Sequence, residues 1–100
     1  MNNVKYKSEA QRKASEIYDL LSNFKNDIYL EYYDESSGAF IFYLDGYKCR
    51  ITPDEDDVYS IKIIKTHNIE QKTLLNETYG IKGIELCSRF RDIMDNLPNY

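Results

Sequence analysis

The sequence predicts an α+β fold: an N-terminal helix, a four-stranded antiparallel β-meander, then one short and one longer C-terminal helix, arranged as a two-layer α/β sandwich. Three observations carry this prediction. Apolar residues recur at helical spacing near both ends of the chain, four runs rich in aromatic and β-branched residues lie between them, and an Asp45-Gly46 pair joins the second run to the third.

The first helix spans residues 8 to 26. Ala10, Ala14, Ile17, Leu21 and Phe24 follow the three-and-four spacing that puts one apolar stripe on one face. Ser8 is placed to cap its start, with Gln11 at the capping-box position three residues on.

The strands are expected at 28–33, 39–44, 47–52 and 58–65. Asp45-Gly46 suits a two-residue type I′ turn, which needs positive φ at both central residues. That turn fixes the register: Leu44 opposes Tyr47, Phe42 opposes Cys49 and Phe40 opposes Ile51, so the strongly apolar partners share a face. If the outer loops close symmetrically, Ile28, Leu30 and Tyr32 join that face from the first strand, and Tyr59, Ile61 and Ile63 from the fourth.

Residues 66–78 read as a short helix, opened by Asn68 and Gln71 and carrying Ile69, Leu74 and Leu75, with β-structure as the alternative. The longer helix covers 81–96 through Leu86, Cys87, Phe90, Ile93 and Met94, and Pro98 limits its continuation.

One hundred residues fit a single domain over 1–100, with residues 1–7 as a flexible arm and no internal repeat or low-complexity tract. A hydrophobic fraction of 42% beside a charged fraction of 30% belongs to a globular chain, not a disordered one. The net charge of −4 argues against binding nucleic acid by bulk electrostatics, although a local basic patch is compatible with it. No window has the run of apolar residues that a membrane span or secretory signal requires, so the expected setting is the cytoplasm, with Cys49 and Cys87 reduced.

No cofactor or metal is expected. Gly38, Gly46, Gly80 and Gly83 are scattered and form no phosphate-binding loop. One histidine and two distant cysteines do not make a zinc site, and Asp54-Glu55-Asp56-Asp57 lacks the alternating ligands and central glycine of a calcium loop. A Cys–His dyad would require His67 to meet a cysteine that the pattern assigns to the core, so no enzyme activity is expected.

Two surfaces stand out instead. Asp34 and Glu35 in the first hairpin loop, and Asp54, Glu55, Asp56 and Asp57 in the third, leave the same end of a meander and form an acidic end suited to a basic partner. The sheet face turned away from the helices carries Tyr29, Glu31, Tyr33, Ile41, Tyr43, Lys48, Arg50, Lys62 and Ile64. A solvated antiparallel face alternates to plainly polar residues. Tyrosines and isoleucines beside lysine and arginine make this one a candidate contact surface for a protein, for a second copy of the chain, or for stacked single-stranded nucleic acid.

Ile, Tyr, Lys and Asn supply 38 of the 100 residues, and their codons are AT-rich. In kind, though in no motif, a small acidic tyrosine-rich domain without a catalytic constellation resembles the inhibitors that phages and mobile elements direct at host defence enzymes. That resemblance implies a protein-binding inhibitor that presents carboxylates to a nucleic-acid-binding enzyme and acts by steric and electrostatic occlusion.

Overall fold

Ser8 has an extended backbone and its hydroxyl accepts the backbone N–H of Gln11 at 3.1 Å, so helix α1 begins at Glu9 and runs to Leu20. In this computed structural model, which describes residues 6–98, α1 is followed by five strands and a second helix. The arm expected at residues 1–7 lies mostly outside the described residues. A 3-10 turn, Ser22–Phe24, takes over where the helix was expected to continue.

The strands are β1 (Tyr29–Tyr33), β2 (Phe40–Leu44), β3 (Tyr47–Glu55), β4 (Val58–Thr66) and β5 (Lys72–Lys82), in the order β1-β2-β3-β4-β5 and antiparallel throughout. Asp45 at φ 53° and Gly46 at φ 83° close the β2–β3 turn, and Phe40↔Ile51, Phe42↔Cys49 and Leu44↔Tyr47 pair as the sequence predicts.

The four-strand expectation is corrected to five, because residues 72–82 form β5 and not a helix. Asn68 caps a turn instead of a helix: its Oδ1 accepts the N–H groups of Glu70 and Gln71, each at 2.8 Å, and the chain reverses directly into β5. Two irregularities hide this strand from a search for strict alternation. Leu75 is an extra residue between the pairs Ile63↔Asn76 and Ile64↔Leu74, and Tyr79-Gly80 together oppose Ser60, with Gly80 at φ 71°.

β1 departs from its expected register as well. Tyr29 pairs with Tyr43 and Tyr32 with Ile41, so Leu30 and Glu31 together face the single residue Phe42. Leu30 takes a left-handed φ of 52° and is 70% exposed. The extra residue inverts the alternation beyond it. Tyr32 therefore turns to the open face, and Tyr33, opposite Phe40, packs against the core. Leu30 and Tyr32 do not join the buried face, and Tyr33 does not belong to the open one.

The final helix, α2 (Leu86–Asp95), starts later than expected, after the 3-10 turn Gly83–Glu85; Ile81 is a fully buried β5 residue. Ile17 and Leu21 beside α1 and its end, and Leu86 and Phe90 of α2, pack against Phe42, Cys49, Ile51, Ile61 and Ile63, which share one face of the sheet. Phe90 makes edge contacts with Phe24 (5.0 Å between centroids) and Phe42 (5.7 Å), locking α2 onto both the sheet and the end of α1. No helix among the described residues is long and apolar enough to cross a membrane.

Candidate partner-binding surfaces

The acidic hairpin is built by β3 and β4. Beyond the Phe40↔Ile51 pair, β3 continues through Thr52–Glu55, so its tip projects about 13 Å past the start of β2 at ordinary strand rise. Glu55 pairs with Val58, Asp54 is the extra residue of a bulge, and Asp56-Asp57 form the turn, with Asp57 at φ 58°. Asp57 is anchored: its carbonyl accepts the Gly83 N–H at 3.3 Å, and a side chain at position 83 would run into its carboxylate. All four carboxylates, Asp54 to Asp57, are exposed, and none is ion-paired with a described residue.

Beneath the tip lies a cleft of about 320 Å³, bounded on one side by the hairpin and on the other by Arg12, Lys13 and Glu16 of α1, with Tyr59 in its lining. Arg12 is held between Glu9 and Glu16 by ion pairs to both. Two cations and five carboxylates line the cleft, so its net charge is −3. Burial, followed by the facing carboxylates Glu16, Asp57 and Asp56, pushes the Tyr59 phenol above its ordinary value.

The first loop is built differently, although it leaves the same end of the sheet. Asp34 accepts the backbone N–H and the hydroxyl of Ser36 at 2.8 and 2.7 Å and pairs with Arg50 Nη2 at 2.8 Å. The Ser36 hydroxyl, then Arg50, hold its carboxyl well below the usual carboxylate range. Glu35 accepts the Tyr33 hydroxyl at 2.9 Å. Both loop carboxylates are thus engaged within the chain, whereas in the third loop the only described side-chain partner is the Ser60 hydroxyl, which donates to Asp54 Oδ1 at 3.4 Å.

On the open face, Tyr29 and Tyr43 stand side by side, 6.0 Å between centroids, and Lys48 Nζ lies 5.9 Å from the centre of the Tyr32 ring. Ile41 is on this face but only 4% exposed, because it sits between its cross-strand neighbours Tyr32 and Arg50. Lys62 lies between Arg50 and Glu77 in register. Sequence reasoning missed Tyr32 and, from β5, Leu74 and Tyr79, all exposed here. Only the bulges place them on this side, and no turn residue marks the one in β1.

His67 Nε2 pairs with Thr73 Oγ1 at 2.9 Å across the β4–β5 turn, while Cys49 is buried under the sheet and Cys87 is partly exposed on α2. Among the described residues, no three His, Cys, Asp or Glu side chains stand close enough together to hold a metal ion. This chain matches no known protein family, no curated protein and no solved structure.

Proposed function

We propose that this protein acts by binding another protein, and that its acidic hairpin occupies a basic, nucleic-acid-binding groove on that partner, blocking it sterically and electrostatically. The observation that carries this reading is the tip itself: four consecutive exposed carboxylates, none ion-paired with a described residue, held on the β3–β4 hairpin with β5 paired alongside β4. Such a tip presents clustered negative charge, which steers association with a basic surface. The partner class is a nucleic-acid-binding enzyme of the kind used in host defence, met in the cytoplasm, where both thiols stay reduced. Of the open-face tyrosines, Tyr79, which lines a pocket with Asp54 and Ser60, adds contact area beside the tip.

A direct nucleic-acid-binding role for the open face has weaker support. Arg50 is committed to Asp34, and Lys62 stands beside Glu77, which leaves Lys48, over the Tyr32 ring, to meet phosphates from the open-face residues of β1–β4.

The test is capture of partners by the tagged protein from a nuclease-treated low-GC bacterial lysate, compared with the variant Asp54→Asn/Asp56→Asn/Asp57→Asn. The expected result is a stoichiometric protein, displaced by added duplex DNA, whose affinity falls at least tenfold for the variant at an unchanged Tm. A partner held equally well by the variant overturns the reading.

A further inference from the structure

Tyr59 is more than nine-tenths buried, with 8% of its surface exposed, yet its hydroxyl makes no hydrogen bond within the described chain. Every fully enclosed side-chain nitrogen or oxygen among the described residues has a partner, so this hydroxyl is not enclosed: it reaches the cleft that its side chain lines. A phenol there offers one donor and an acceptor oxygen to whatever enters.

The walls define what can enter. Five carboxylates against two cations favour a positive group, and Arg12 is already held by Glu9 and Glu16. The acidic side chains do not converge closely enough for a metal ion, which selects an extended organic cation over a compact one. At about 320 Å³ the cleft is at the small end of ligand pockets and suits one long side chain. A guanidinium answers this layout best. Its planar fork of five donors can reach two carboxylates and the phenol oxygen together, and it can stack on an aromatic ring, which an ammonium does less well.

We infer that the cleft between the acidic tip and α1 receives an arginine side chain of the partner protein, with Asp56 and Asp57 as its charge partners and the Tyr59 hydroxyl as its neutral acceptor. This deepens the occlusion reading and rests on it. The tip supplies long-range attraction, and the cleft supplies the fixed contact that sets the register of the complex.

The experiment is a titration of the full ¹⁵N-labelled chain, followed by amide NMR shifts, with capped triarginine, capped trilysine and magnesium chloride as separate probes. Triarginine is expected to shift amides of residues 56–60 and 12–16 saturably, and Tyr59→Phe to weaken it about tenfold, the effect of losing one hydrogen bond to a charged group. Trilysine is expected to bind more weakly and to be indifferent to Tyr59→Phe. Should that variant be destabilised, Asp56→Asn, at an exposed turn position, is the second variant: it is expected to weaken both peptides, and triarginine by the larger factor because two of its donors lose a charged acceptor. Equal affinity for the two peptides with no loss in either variant overturns the arginine site, as does saturable binding of magnesium at the same amides. If the arginine site fails while the triple Asn variant still loses the captured partner, the occlusion reading stands alone; if that variant keeps the partner, both fall.

Discussion

Arg50 donates from Nη2 to Oδ2 of Asp34 at 2.8 Å and approaches the Ser37 hydroxyl at 3.4 Å, so a residue of the open face clamps the β1–β2 loop from sixteen residues away. With Ser36 bonded to the other carboxylate oxygen, Asp34 becomes a hub for the loop. Its work is structural, and the acidic end of the molecule narrows to the third hairpin.

Acid should reveal this hub. Asp34 has a folded pKa depressed by Ser36 and Arg50, so its contribution is present above the unfolded carboxylate value of about 4 and is lost as pH falls below it. Thermal melts should show Asp34→Asn less stable than the parent at pH 7, with the gap narrowing between pH 4 and pH 2. A gap that stays constant with pH would show that ionisation of Asp34 contributes nothing.

The glycines at positive φ should differ in their tolerance of alanine. Gly46 and Gly80 have open space where a Cβ would go, so each substitution should cost about 1 kcal/mol in backbone strain alone. At Gly38, with φ 78°, the new methyl would lie 2.9 Å from Lys13 Cβ, which is fixed to α1 and cannot swing away. Gly38→Ala should cost about 2 to 3 kcal/mol, read from urea midpoints. Equal losses at the three sites would refute the distinction.

The two thiols should react at very different rates. Burial pushes Cys49 up to about 12, so at pH 8 about one molecule in ten thousand carries its thiolate, whereas Cys87 is partly exposed. Native labelling with a thiol reagent should modify one cysteine per chain, identified by peptide mapping as Cys87, with Cys49 following only in denaturant.

Phe90 joins three parts of the core through its contacts with Phe24 and Phe42. Phe90→Ala should lower stability by about 3 to 5 kcal/mol, and Phe90→Leu by clearly less, because leucine keeps most of the volume. Denaturant unfolding of the pair checks both values.

What the sequence made legible was local chemistry with one solution. Asp45-Gly46 could close only a tight turn, and that turn fixed every pair from Phe40↔Ile51 to Leu44↔Tyr47. The exposed acidic hairpin followed from charge and position. The bulges were not legible: Leu30 adopts φ 52° without being glycine, and its neighbours carry no mark of the inversion that exchanges Tyr32 and Tyr33. β5 was obscured because its two irregularities break the period of two, and because the Asn68 side chain that stabilises a turn could equally have capped a helix. The cleft depended on how α1 lies against the hairpin, which no local pattern encodes.

The same irregularities govern how copies of this chain meet at high concentration. β1 and β5 are the outermost strands, so the outer side of each pairs with no other strand among the described residues. A long flat edge of that kind templates stacking of one molecule on the next. The bulge at Leu30-Glu31 interrupts the first, while Leu75 and Tyr79-Gly80 leave only residues 76–78 of β5 regular between them. The distortions that concealed the fold from its sequence therefore also shorten the flat edge that this tyrosine-rich, β-rich chain offers to a second copy.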